Sequence, residues 1–379
     1  MGAGIAQLCL VAGHEVVLHD VDGVAIEGGR RRIVDGLARL VDKGRLTALD
    51  SERMIGGLRN AHTLDALAAD AELVIEAALE DLELKRTIFR ALGTSVGPHC
   101  VLATNTSALS VTGIGEASGM AERVLGLHFF NPAPIMPLVE VVAGERTSPT
   151  TLDVGVRFAE GLGKTPVVCR DAPGFIVNRV NRPFTLEALR MLEAGEAGVE
   201  QIDEAIVGTG YPMGPLALMD LVGIDVNFAV ATALWEAFEG EIRFAPSPIQ
   251  RQLVEAGRLG RKTGEGFYRY EDGRSVGLSR RLAEAGVGAV EPGGLAAEEI
   301  AGRIELAIIN EAYHAAGEGV AEAGEIDRAM KLGANHPYGP FERAGQLGLR
   351  AVIDALARLE ATVGERYRVA PLLWQVASI

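Results

Sequence analysis

The chain has 379 residues, enough for two or three domains at the usual ~100–200 residues each. It is 48% hydrophobic and 23% charged, the balance of an ordinary globular protein, and holds no apolar run of membrane-spanning length. A net charge of −15 and a pI near 5.0 exclude bulk attraction to nucleic acid or to an anionic membrane, because binding phosphate-rich surfaces needs a large positive field.

The chain opens on a helical pattern over residues 2–10, with Ile5, Leu8 and Cys9 at core-facing spacing. A strand is predicted at 16–19, ending at Asp20. Helix, glycine turn at Gly13, strand and acid form the second half of a dinucleotide-binding βαβ unit, whose first half, an apolar strand running into two glycines, is missing from this chain. Further strands are predicted at 73–76, 101–104, 124–128, 139–143 and 166–169, and helices at 24–41, 83–92 and 149–162. Strands alternating with helices predict a largely parallel sheet covered on both faces. Asp171-Ala172-Pro173-Gly174 breaks the pattern, since Pro and Gly disfavour continuing a regular element. Beyond it helices are predicted at 180–194, 201–207, 215–221, 226–239 and 249–256.

The tail repeats this helical region. Glu187-Ala188 matches Glu311-Ala312 and Ile202-Asp203 matches Ile326-Asp327, both at an offset of 124 (311 − 187 and 326 − 202). Tyr211-Pro212-Met213-Gly214-Pro215 matches His336-Pro337-Tyr338-Gly339-Pro340 one residue out of step. Order and spacing this similar indicate a duplication. The expected organisation is an α/β nucleotide-binding domain over 1–170, a first helical domain over 171–270, a Gly/Pro-interrupted linker over 271–294, and a second helical domain over 295–379.

The chemistry concentrates in a few places. Asp20 closes a strand 18 residues after Gly2, where folds of this kind bind the hydroxyls of an adenosine ribose. A carboxylate there repels a 2′-phosphate and favours NAD over NADP; the plain alternative is a solvated turn aspartate. Leu125-Gly126-Leu127-His128-Phe129-Phe130-Asn131-Pro132 ends an apolar strand on a histidine. Twelve residues later Glu140 lies inside the run Leu138-Val139-Glu140-Val141-Val142. A carboxylate among β-branched residues is costly to bury without a partner. Two strands joined by the loop over 132–137 would place Glu140 against the His128 ring, as a base and its orienting carboxylate; a core histidine in a structural salt link is the alternative. Asn105-Thr106-Ser107 follows the strand 101–104 at the carboxyl end of the sheet, and Asn178 lies at the entry to the first long helix of the second half. Each is an ordinary cap or turn residue taken alone; together they would offer hydrogen bonds to a substrate oxygen from two sides of an inter-domain cleft.

Taken together, His128-Phe129-Phe130-Asn131-Pro132, Asn105-Thr106-Ser107, Glu140 and Pro173-Gly174-Phe175-Ile176-Val177-Asn178-Arg179 resemble the L-3-hydroxyacyl-CoA dehydrogenase family. Tyr211-Pro212-Met213-Gly214-Pro215 and Lys262-Thr263-Gly264-Glu265-Gly266-Phe267-Tyr268 add to the likeness, which runs to about Tyr270; the repeat resembles the family's second C-terminal domain. The resemblance implies a Rossmann-type NAD-binding domain, its first strand missing, followed by two all-α domains. It implies oxidation of L-3-hydroxyacyl-CoA to 3-ketoacyl-CoA in fatty-acid metabolism and β-oxidation. His128 is then the base and Glu140 its partner, and Ser107 and Asn178 hold the 3-oxygen. Gly2, Asp20, Glu80, Lys85 and Asn105 contact NAD, and Arg30, Arg31 and Arg32 fall where the family meets CoA phosphates. The family's glycine fingerprint needs a strand ahead of Met1, so the native start is expected roughly a dozen residues upstream.

In single-domain relatives the helical domain pairs two subunits, so the duplicated copy is expected to replace that partner, giving a monomer or else a homodimer through the helical domains. Gly302 stands where the first copy has Asn178 (178 + 124 = 302), which predicts a scaffold rather than a second site. Neither nucleic acid nor membrane is expected as a partner. Cys9, Cys100 and Cys169 are odd in number and widely spaced, fitting core thiols in a reducing cytoplasm better than a disulfide framework or a metal site. The rival activities are the same fold acting on a free hydroxy or sugar acid, as in lens-crystallin-like relatives, and a non-catalytic CoA-binding or structural relative.

Overall fold

Short polar side chains start the helices of the first half, in a computed structural model that describes residues 1–280, 282 and 294–378. The order is α1 (Gly2–Val11), β1 (Val16–His19), α2 (Gly23–Asp42), α3 (Ala48–Gly56), β2 (Leu58–Ala61), α4 (Leu64–Ala68), β3 (Leu73–Glu76) and α5 (Leu82–Ser95). Then come β4 (Val101–Thr104), α6 (Val111–Ala117), β5 (Val124–Phe129), β6 (Leu138–Ala143), α7 (Pro149–Gly161) and β7 (Thr165–Arg170). Asp22, Thr47, Thr63, Asp81, Ser110 and Ser148 cap α2 to α7, each accepting from a backbone N–H of the first turn.

Strands β3-β4-β5-β6-β7 form one sheet in that order, parallel except for the antiparallel pair β5–β6; β1 and β2 form a separate parallel pair. Period-two alternation sorts the side chains. Val101, Ala103, Leu125, Leu127, Phe129, Val139 and Val141 pack with Ile5 and Cys9 of α1 and Ala159 of α7 on one face. Val74, Leu102 and Val124 pack with Phe89 and Leu92 of α5 and Ile114 of α6 on the other. Gly126 is a glycine for space: a Cβ there would lie 2.8 Å from Val142 Cβ and 3.0 Å from Val111 Cγ2.

The chain divides into two compact units, Met1–Phe175 and Ile176–Ile379. The first therefore runs five residues past the expected limit (175 − 170), because the Asp171 carboxylate accepts from Ser110 Oγ at 2.9 Å and from Thr112 N at 2.8 Å, tying that segment to the start of α6.

The second unit holds α8 (Val177–Val180), α9 (Arg182–Glu193), α10 (Val199–Val207), α11 (Pro215–Val222), α12 (Ile224–Ala237) and α13 (Pro248–Glu255). A hairpin follows, β8 (Tyr268–Glu271) and β9 (Arg274–Leu278), and then α14 (Ala297–Gly317), α15 (Ala323–Gly333), α16 (Pro340–Leu347), α17 (Leu349–Thr362) and α18 (Pro371–Ala377).

Three expectations are corrected. The helix expected over 180–194 begins afresh at Arg182, since Pro183 has no N–H to donate. The expected linker over 271–294 starts as a hairpin whose turn residues Asp272 and Gly273 both have positive φ, the conformation an Asp-Gly turn supplies; its remainder, apart from residues at its edges, lies outside the described residues. The two helical copies share one unit instead of standing as two bodies, because acids of each copy pair with cations of the other. Arg179 and Arg243 donate to Glu311 at 2.7 and 2.8 Å, and Arg366 donates to Glu187 at 3.1 Å. Arg303 of the second copy pairs with Glu196 of the first at 2.6 Å, and Arg179 with Glu318 at 2.7 Å.

The repeat is also visible in the backbone. Asp203 accepts from Leu216 N and Ala217 N, and Asp327 accepts from Phe341 N and Glu342 N, so the starts of α11 and α16 are each fixed by the matching aspartate of their copy. Gly214 and Gly339 leave room for those carboxylates: a Cβ would come within 2.3 Å of Asp203 and 2.2 Å of Asp327.

Candidate functional site

His128 and Glu140 face each other by register. They are paired residues of antiparallel β5 and β6. Leu127, Phe129, Val139 and Val141 fill the opposite face, so alternation turns the imidazole and the carboxylate the same way. His128 Nδ1 lies 2.6 Å from Glu140 Oε2, with the side chains 6% and 0% exposed. The carboxylate can only accept here, so Nδ1 carries the proton and Nε2 keeps its lone pair. Nε2 makes no hydrogen bond among the described residues. Phe130 and Phe175 flank the ring at centroid distances of 4.5 and 5.8 Å, fixing its plane.

Beside this pair, at the carboxyl ends of β3 and β4, lies a second polar group. Asn105 Oδ1 accepts from Phe129 N at 2.9 Å, and Asn105 N donates to Glu76 O, so Asn105 ties β3, β4 and β5 together next to His128. Glu80 Oε1 accepts from Thr106 Oγ1, Ser107 N and Ala108 N, holding the turn that carries the Ser107 side chain. Lys85 is enclosed, 1% exposed, with its ammonium 2.7 Å from Glu76 Oε1 and 3.4 Å from Glu80 Oε2. It is a counter-ion to two acids and is not presented at the surface.

Glu76 and Thr104 escaped the sequence reading. Thr104 Oγ1 and Ala78 N both donate to Glu76, which completes a buried network under Glu80. The signal was present in Glu76, an acid closing an apolar run where Glu140 interrupts one.

The residues expected to meet the dinucleotide sit on the first elements. Gly2 begins α1, a helix whose start has no side-chain cap. Its free N–H groups and positive dipole end suit a phosphate. A Cβ on Gly2 would meet only Ala77 at 3.8 Å, while one on Gly4 would press on Pro134 at 3.2 Å. Asp20 is exposed at the end of β1, accepting from Asp22 N. An uncapped helix start, an exposed acid and the Glu80 turn offer donors and acceptors of the kind NAD would use, so the residues present fit it. Arg30 is committed elsewhere, donating to Leu58 O at 2.9 Å, while Arg31 and Arg32 are exposed. Asn178 lies in α8 of the second unit.

The three cysteines are buried and unpaired. Burial pushes the Cys9 thiol up to about 12. Burial, with the Glu140 and Asp171 carboxylates adding to it, raises Cys169 well above its ordinary value, so neither thiol competes as a nucleophile.

The 3-hydroxyacyl-CoA dehydrogenase NAD binding domain matches residues 1–172, and the 3-hydroxyacyl-CoA dehydrogenase C-terminal domain matches 174–270 and 300–379. The chain is similar to the 3-hydroxyadipyl-CoA dehydrogenase of Escherichia coli K12 at 40% identity, covering 100% of this chain and 95% of that protein. It is similar to the 3-hydroxybutyryl-CoA dehydrogenase of Mycobacterium tuberculosis at 44% identity, covering 71% of this chain and 95% of the other. Among solved structures, a 3-hydroxybutyryl-CoA dehydrogenase from Escherichia coli K12 superposes with a TM-score of 0.91 at 37% identity, covering 100% of this chain and 96% of that one.

Proposed function

For a chain that belongs to the 3-hydroxyacyl-CoA dehydrogenase family and oxidises 3-hydroxyacyl-CoA with NAD, we propose that His128 is the base and that the substrate is the L-3-hydroxy enantiomer. The observation that carries this is the 2.6 Å contact between His128 Nδ1 and Glu140 Oε2 on the inner face of β5 and β6. With Nδ1 committed, Nε2 takes the hydroxyl proton as the C3–H bond breaks, and Glu140 stabilises the imidazolium that forms. Ser107 and Asn178 hold the 3-oxygen. Without a base, positive charge would build at C3; a placed base typically contributes ~10²–10⁴-fold. NAD, when bound, supplies the hydride acceptor that no protein side chain can be. Asp20 holds the adenosine ribose, the start of α1 at Gly2 faces the pyrophosphate, and Glu80, Asn105 and Lys85 shape the nicotinamide end, Lys85 acting through Glu80.

Purified protein should oxidise NADH with acetoacetyl-CoA and leave free acetoacetate and free sugar acids untouched. Turnover of the free acids at comparable kcat/KM would overturn the acyl-CoA reading. The name of the Escherichia coli relative brings a six-carbon substrate ending in a carboxylate among the candidates. The place of the reaction is β-oxidation of acyl-CoA in the cytoplasm, a location supported by three buried free thiols.

Two structural proposals accompany this one. Each of the β1–β2 and β3–β7 sheets ends on a parallel strand with an open edge, and a further parallel strand between β1 and β3 would complete a Rossmann sheet. The second helical copy stands in for a partner subunit: the reciprocal pairs Arg243–Glu311 and Arg366–Glu187 are what an isologous interface would have, here within one chain. Light scattering should give a monomer; an obligate dimer through the helical unit would contradict it.

A further inference from the structure

Arg182, the first residue of α9, is buried at 6% exposure with no acid beside it among the described residues. Its Nη1 donates to Asn227 Oδ1 at 3.2 Å and to Asn227 O at 3.5 Å. Nε is buried with no acceptor, and Nη2 makes no hydrogen bond among the described residues. Burial alone lowers its pKa to about 10, with no carboxylate pulling it back. Other enclosed arginines among the described residues of this unit are matched: Arg179 to Glu311 and Glu318, Arg190 and Arg366 to Glu187, Arg243 to Glu311, and Arg303 to Glu196. Next to Arg182, Gln250 donates to Asn227 Oδ1 at 2.7 Å and to Met219 Sδ, while its Oε1 is buried without a partner.

The second copy shows what the scaffold itself needs here. With Glu187/Glu311, Gly223/Gly348 and Pro248/Pro371 as landmarks, the offsets are 124, 125 and 123. Arg182 then corresponds to Leu306, Asn227 to Val352, Gln250 to Leu373 and Met219 to Ala344. Those four residues share one apolar cluster. An ordinary hydrophobic core suffices at these positions, and an unpaired buried cation is unfavourable to folding. The polar set occurs only in the copy that has Asn178 in place of Gly302.

We propose that Arg182, braced by Asn227 and Gln250, receives the carboxylate at the far end of the substrate's acyl chain and makes this enzyme selective for carboxylate-terminated 3-hydroxyacyl-CoA. The reading rests on Asn178 holding the 3-oxygen. Arg182 follows Asn178 by four residues, and the intervening Asn181 keeps right-handed helical angles (φ −81, ψ −6), so the two share a helix face about one turn apart. One turn is ~5.4 Å, the order of distance between C3 and a carboxylate three carbons further along a short chain. The Nε–Nη2 edge is a planar two-donor fork of the shape a carboxylate binds side-on.

The test compares six-carbon 3-hydroxyacyl-CoA substrates ending in a carboxylate or a methyl group, on the full chain with NAD. The unmodified enzyme should favour the carboxylate-ended substrate by roughly 30-fold or more in kcat/KM, the scale of a charge-assisted hydrogen-bond pair. Arg182→Leu should bring that ratio to about one, and Arg182→Lys should restore part of it. Should the single change fail to fold, the triple variant Arg182→Leu, Asn227→Val, Gln250→Leu installs the apolar set of the second copy and should give the same collapse. A ratio near one in the unmodified enzyme, or one that survives both Leu-bearing variants, would overturn the assignment while acyl-CoA turnover leaves the parent function standing. Turnover of neither thioester would overturn both.

Discussion

Glu140→Gln separates the orienting role of Glu140 from its bulk. The substitution keeps shape and volume in a site where the side chain is 0% exposed and 2.6 Å from His128 Nδ1. A carboxylate can only accept from Nδ1. The Gln amide can also donate, which stabilises the tautomer with its proton on Nε2, the atom proposed to receive one. Recovering the productive tautomer then costs a buried hydrogen bond, and the imidazolium formed in the reaction loses its counter-charge. A lost charge-assisted hydrogen bond is worth ~1.5–3 kcal/mol, and the lost counter-charge adds to it. At ~1.36 kcal/mol per tenfold, kcat should fall about 10²–10⁴-fold. Steady-state kinetics with NAD and 3-hydroxybutyryl-CoA, alongside circular dichroism to confirm folding, reads this directly. KM for NAD should stay within a factor of about three. The double variant His128→Gln, Glu140→Gln should be little worse than His128→Gln alone, because the two act as one unit. A folded Glu140→Gln enzyme within tenfold of full activity, or a double variant whose losses multiply, would refute the orienting role.

Asp20→Ala should lower kcat/KM for NAD by about 10–100-fold, the scale of a hydrogen bond to an ionised group, and narrow the preference over NADP; an unchanged NAD/NADP ratio would remove Asp20 from the cofactor site. Asp220 is raised to about 6, mainly by burial, against an ordinary value of 3.8. Its folded state therefore binds the proton more tightly, so the residue's contribution to stability is fully present below pH 3.8 and declines as pH rises towards 6. Asp220→Asn should accordingly destabilise more at pH 4 than at pH 7.5 in urea unfolding, and a penalty that grows with pH would contradict the sign. Glu311→Gln leaves Arg179 and Arg243 facing a neutral amide; Arg179 keeps Glu318, so the loss should fall at or below the ~3–5 kcal/mol of a fully broken buried pair. Thermal unfolding that left Glu311→Gln indistinguishable from the unmodified chain would show that the two copies do not depend on this link.

Sequence alone exposed the pairing of His128 with Glu140 because its cost is local: a Glu amid valines must be satisfied, and the strand before it offers one histidine. The strands 73–76, 101–104 and 124–128 were legible through their β-branched runs, whereas β2, Leu-Arg-Asn-Ala, carries no apolar alternation and owes its conformation to pairing with β1. Asp272-Gly273 was a readable hairpin signal, overlooked because the surrounding segment looked irregular. The burial of Lys85 was not legible, since its partners Glu76 and Glu80 lie on a strand end and a loop that only the folded sheet brings to it. Nor was the isolation of Arg182: a sequence shows which charges exist but not which of them lack a neighbour.

The duplication explains how this isolation can persist. In a pair of identical subunits every helical position must serve both the scaffold and the active site. Once the copies share a chain, their positions separate. Contacts needed by both are kept twice, as in Asp203 and Asp327 at the helix starts and Glu187 and Glu311 at the centre. Positions that serve only packing become apolar in one copy, as in Leu306, Val352 and Leu373. The corresponding residues of the other copy are free to hold a guanidinium that no acid among the described residues pairs, which leaves it open to an anion from a ligand. A polar set that has drifted without function should not fall on three helices at once while its counterpart remains a packed core, and that asymmetry is why Arg182 reads as selected for a ligand.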